Sequence, residues 1–203
     1  MPSAKLRAQE VVDRMVATIN GQELITYSDL LWQLALEPGT PLEQPRSDDL
    51  ARALSLLIDQ RLIGQEAGKL PTIAAKDEDV RNALNELIKR FPSQEAFYLR
   101  IARVGLTGEQ LQEIVRQRVE IDNYLTFRFR SFVVVSPQEI AAYYRDVFVP
   151  RWRQRSPGLI IPTLEAETPR IEQQLIEDKI SSDTDAFLDD ARARAEIVIL
   201  SPV

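Results

Sequence analysis

The sequence predicts a mainly α fold, a compact array of several helices carrying a small antiparallel sheet. Three observations lead to it. Apolar residues recur at a helical period through most of the chain; proline, glycine and capping residues interrupt that pattern at short intervals; and the convincing β-prone runs stand near the two ends. With 203 residues, of which 44% are hydrophobic and 28% charged, the chain is long enough to bury a sizeable core.

The first local signal is a pair of short β-prone runs within residues 16–25, flanking Asn20 and Gly21. Asn-Gly tolerates the positive φ angles of a type I′ turn, so this segment reads as a hairpin. Thr26, with Asp29 three residues on, forms the start of a helix whose stripe is Leu30, Leu31, Leu34 and Ala35. Three prolines between Glu37 and Arg46 mark a loop. Ser47 is expected to cap a second helix through Leu50, Ala53, Leu54, Leu57, Ile58 and Leu62, stopping near Gly68. A third begins around Asp77 and shows Val80, Ala83, Leu84, Leu87, Ile88 and Phe91 on one face.

Pro92 and Ser93 break that helix and start a fourth, which ends at Gly105, and Thr107 caps a fifth that runs toward Arg130. Residues 132–135 read as extended. Ser136 and Pro137 open a sixth helix through Ile140, Tyr143, Tyr144 and Val147. From 149 to 163 there are three prolines, one glycine and no period, which reads as a linker. A last long helix is expected over roughly 164–195, kinked near Pro169, followed by four β-prone residues at 197–200. A lone C-terminal strand needs a partner, and the N-terminal hairpin is the evident one. The chain is therefore expected to bring its two ends together, with 1–148 and 164–203 forming one composite core.

Composition excludes much chemistry. Cysteine and histidine are both absent, which removes thiol nucleophiles, Cys/His zinc sites and imidazole acid-base catalysis. The run from Gly64 to Leu70 resembles a phosphate loop only faintly and is better explained as a helix end. Asp77, Glu78 and Asp79, like Asp189 and Asp190, are consecutive and do not converge, so neither a metal nor a cofactor is expected. No apolar run approaches the ~20 residues of a membrane span, and residues 1–5 do not open a secretory signal. Net charge is −6, and it sits in residues 164–203, with ten acids against four bases. Residues 128–155 hold six arginines against two acids. Solvated helix faces explain this distribution better than a nucleic-acid partner, because the chain is acidic overall and has no nucleic-acid motif.

The remaining candidates are apolar. Phe91 and Phe97 fit helix stripes and are expected in the core. Phe148, Trp152 and Ile160 lie at or beyond the end of a regular helix, where burial and an exposed contact surface are both open.

Several segments also resemble a known family. Val16, Ala17, Ile19, Asn20 and Gly21, followed by Ile25, Thr26, Ser28, Asp29 and Leu30, are similar to the opening of the SurA-type periplasmic chaperones. Residues 57–67 resemble that family's second helix. Phe91, Ser93, Ala96 and Phe97 with Gly105, Leu106, Thr107 and Leu111 resemble a further block, and so do Val135, Ser136, Glu139, Ile140, Tyr143 and Tyr144. The helix and strand over 171–200 are similar to the elements that close the chaperone core. In that family one or two parvulin-type prolyl isomerase domains normally follow the Tyr-Tyr helix. Here the interval is 149–163, which spans at most ~50 Å when fully extended and cannot hold such a domain.

The resemblance implies an ATP-independent, periplasmic or otherwise extracytoplasmic chaperone module without isomerase activity. Its implied partners are unfolded or partly folded polypeptides, with outer-membrane or secreted proteins as clients. A groove lined by Trp32, Phe97, Tyr143, Tyr144, Phe148 and Trp152, with Ile160 beside it, would hold them. The alternative is an assembly subunit or homodimer whose groove is filled by a second copy, with 149–163 as the hinge for exchanging the C-terminal elements.

Overall fold

The computed structural model describes residues 13–203. Two strands, β1 (Met15–Ile19) and β2 (Glu23–Thr26), lead into α1 (Tyr27–Ala35), α2 (Ser47–Ala67), α3 (Asp77–Lys89), α4 (Gln94–Arg103) and α5 (Gly108–Arg128). Then follow α6 (Pro137–Tyr143), α7 (Val149–Arg155), α8 (Leu164–Arg194) and β3 (Ile197–Ile199). The fold is mainly helical with one three-stranded antiparallel sheet, as the sequence predicts.

Sheet order is β2-β1-β3, so the C-terminal strand does pair with the hairpin, placing Ile197, Val198 and Ile199 opposite Ile19, Thr18 and Ala17. The Leu200 N–H extends the ladder to the Val16 carbonyl at 2.8 Å. Asn20 and Gly21 adopt φ of 53° and 63°, the left-handed values that a type I′ turn requires. Asn20 does more than turn the chain. Its N–H donates to the Glu196 carbonyl at 2.8 Å, and its Oδ1 accepts from the Glu196 N–H at 3.0 Å, which clamps β3 to the turn.

The anticipated caps recur at Thr26, Ser93, Thr107 and Ser136, with reciprocal capping boxes to Asp29, Gln110 and Glu139 at three of them. Ser47 is different. It is the first residue of α2 and Arg46 holds the cap position, its guanidinium paired with Asp49 at 2.9 Å.

Most buried side chains among the described residues fall into three clusters. The sheet packs on α1 and α2 through Val16, Ile19, Ile25, Leu30, Leu34, Leu57 and Ile58. Leu36, Leu87, Phe91, Phe97, Ile101, Leu111 and Val115 join the end of α1 to α3, α4 and α5. Ile63, Ala67 and Tyr124 receive Phe187 and Leu188 of α8. A further tie between α8 and α2 is Arg192, whose Nε meets Asp59 Oδ1 at 2.6 Å and whose Nη2 donates to Ser55 Oγ at 2.7 Å.

Two local expectations need correction. Phe132 belongs to a 3₁₀ turn (Arg130–Phe132), and only from Val133 on is the backbone extended, with no sheet partner among the described residues. The expected linker over 149–163 is helical in its first half. α6 continues through a π turn (Tyr144–Phe148) into α7, and the irregular stretch is 156–163. Pro150 would ordinarily mark the end of a helix. It stands in the first turn of α7, directly after the π turn, where a missing N–H is tolerated because the hydrogen-bond register has just shifted.

Candidate functional site

The α6–π–α7 helix carries aromatic residues four apart, and the slower winding of the π turn keeps them in line. Tyr144 and Phe148 stack with ring centroids 5.4 Å apart at 18°, and Phe148 and Trp152 with centroids 5.8 Å apart at 28°. Each such pair adds about 0.5–1.5 kcal/mol beyond the area it buries. The three rings are half-buried. The Tyr144 hydroxyl donates to the Pro162 carbonyl at 2.6 Å and so ties the irregular segment back to the ladder. That segment projects Leu159 and Ile160 into solvent, at 64% and 92% exposure. The Trp152 indole N–H is buried and meets no acceptor among the described residues. Arg151, Arg153 and Arg155 stand exposed around Trp152.

The expected groove residues therefore divide. Tyr144, Phe148 and Trp152 come together with Ile160 on the connected loop, while Tyr143 is half-buried on the same helix and outside the stack. Phe97 is fully buried, edge-on to Phe91 at 5.0 Å and to Tyr98 at 5.3 Å. Trp32 packs on the same cluster, and its Nε1 donates to the Val104 carbonyl at 3.1 Å. Phe97 belongs to that core, and Trp32 is half-buried against it. Phe132 and Val134, absent from the sequence reading as contact residues, are exposed at 72% and 77% on the segment leading into α6. A run of β-branched and aromatic residues outside any periodic element was their available signal.

Electrostatics fix this helix to α8. The Lys179 ammonium bridges Glu139 Oε1 at 2.7 Å and the Val134 carbonyl at 2.8 Å. That ammonium, together with the N–H and hydroxyl of Ser136, holds the Glu139 carboxyl down at about 2, against its ordinary 4.5. Because the shift is downward, the interaction favours the fold above pH 4.5 and is lost as pH falls toward 2. In Lys179→Met the Glu139 carboxyl should titrate closer to 4.5, read by its side-chain carboxyl carbon resonance. Tyr144→Phe should cost about 1 kcal/mol and speed amide exchange at Leu159 and Ile160, because the loop loses its tie.

A separate cavity of about 380 Å³ opens between α2 and α5. Its polar side chains are largely engaged with one another: Arg61 with Glu23 at 3.6 Å and Gln117 at 3.1 Å, and Gln65 with Glu23 at 2.9 Å. Among the described residues no three acidic side chains converge to hold a metal ion. No helix among them is long and apolar enough to cross a membrane. Comparison with known proteins finds no matching family model and no matching curated relative. What the chain defines by itself is a helical scaffold with a three-stranded sheet and a stacked aromatic face beside an exposed apolar loop.

Proposed function

We propose that this chain is an ATP-independent, extracytoplasmic chaperone-like module that holds unfolded or partly folded polypeptides and has no prolyl isomerase activity. The observation that supports the reading best is the Tyr144, Phe148 and Trp152 stack, joined through Pro162 to a loop that exposes Leu159 and Ile160. Stacked rings offer a large, stiff contact area that loses little entropy on binding and accepts many apolar side chains. The exposed arginines around Trp152 and the acids of α8 keep a loaded complex hydrated. Outer-membrane and secreted proteins are the clients the family resemblance suggests. Light scattering of an unfolded β-barrel client should show aggregation suppressed by the chain, and suppression should be lost in the double variant Phe148→Ala with Ile160→Asp. Undiminished aggregation with the unaltered chain would overturn the reading. A protease-coupled proline-peptide assay should show no turnover.

One observation favours a second reading, assembly with another copy of the chain. Among the described residues β3 has β1 as its single neighbour, and Val198 and Ile199 on it, with Leu200 just beyond, are exposed. Mass that rises with concentration in light scattering, and falls in Ile199→Lys, would support it.

A further inference from the structure

Where α1, α2, α3 and α5 meet, two guanidinium groups share one concavity. Arg118 of α5 and Arg90, which caps the C-terminus of α3, both line a cavity of about 510 Å³ whose apolar wall includes Leu36 and Leu56. Arg118 Nη2 donates to Gln33 Oε1 at 2.7 Å, and its Nε is buried with no acceptor among the described residues. The acid on the rim, Glu37, is already taken: Arg52 Nη1 donates to its Oε2 at 2.6 Å and Gln33 Nε2 to its Oε1 at 3.0 Å. Burial, reinforced by the neighbouring Arg90 charge and opposed by Glu37, makes the Arg118 cation less favourable than in water.

An arginine cannot relieve such a site by giving up its proton, so the charge has to be offset from outside. Nε itself is closed off, but Arg118 Nη1 makes no hydrogen bond among the described residues and can donate to an anion in the concavity, to which Arg90 adds a second cation. A doubly charged phosphate would sit against the Glu37 carboxylate. A singly charged carboxylate with an apolar substituent fits both the rim and the wall.

We propose that this concavity binds the carboxylate of a polypeptide, held by Arg118 and Arg90, with the attached carbon chain against Leu36 and Leu56. The choice of a polypeptide as carrier rests on the proposed function, whereas the preference for a carboxylate rests on the site alone.

Calorimetry on the full chain with three forms of one short peptide tests it: free C-terminal acid, C-terminal amide, and the amide with a glutamate near its end. The free acid should bind about tenfold more tightly than the amide. If the glutamate restores the affinity of the amide, side-chain carboxylates are accepted as well; if not, the site reads chain ends, and either result supports it. Arg118→Gln and, at the exposed rim, Arg90→Gln should shrink the difference while leaving aggregation suppression by the aromatic face intact. Equal affinity for acid and amide, no binding of any form, or discrimination that survives in both variants would overturn the site without touching the aromatic face.

Discussion

Phe97→Ala should destabilise the fold by about 3–5 kcal/mol, the cost of emptying a large, fully buried aromatic site. Phe97 has no exposed surface and stands edge-on to two rings, Phe91 and Tyr98, on the helix that joins α3 to α5. Its removal leaves a cavity that the surrounding Leu87, Ile101 and Leu111 cannot fill without moving their helices. Denaturant unfolding followed by far-UV circular dichroism measures the loss. A cost under 1 kcal/mol would mean that this cluster is loosely packed.

Arg100→Met should cost about 3 kcal/mol, although the residue replaced is charged and partly accessible. The Arg100 guanidinium gathers four carbonyls: Ala35 on Nε and Leu34, Glu37 and Thr40 on Nη2, at 2.9, 2.9, 2.9 and 2.6 Å. Two of them belong to the last turn of α1, where a cation also meets the negative pole of the helix; the Leu34 carbonyl accepts from the Glu37 N–H at 3.1 Å as well. The others lie in the turn through Gly39, whose φ of 79° needs glycine. Burial works against the Arg100 cation, with Arg103 adding to the effect, so the carbonyls are what hold it in place. Arg100→Lys keeps the charge and should recover less than half of the loss, because an ammonium cannot span the fork.

Much of the fold could be read from the sequence because its causes are local. Periodic stripes, Asn-Gly at the turn and Ser or Thr three residues before an acid or amide each act within a few residues. Pairing of β3 with β1 was accessible for a different reason: so few strands exist that an unpaired one has little choice. What escaped was long-range or depended on register. Nothing near Arg100 in sequence signals four distant carbonyls, and nothing near Asn20 signals Glu196. The π turn escaped because Pro150 reads as an end to helix unless the shift in register before it is known. For the site, the four-residue spacing of Tyr144, Phe148 and Trp152 was visible, but their stacking depends on that same π turn. Trp32 and Phe97 resemble them in residue type alone: packing puts Phe97 in the core and Trp32 half-buried against it.

If the chain acts as the proposed chaperone-like module, unfolded chains meet the face formed by the aromatic stack and the loop at Ile160. Photo-crosslinking from a reactive side chain placed at Ile160, compared with one at the exposed Asn82 on α3, tests it most directly. With an unfolded β-barrel client, strong adducts are expected from position 160, weakened when Phe148 is alanine, and few from position 82. Equal adducts from both positions, or adducts at 160 unaffected by Phe148→Ala, would contradict it.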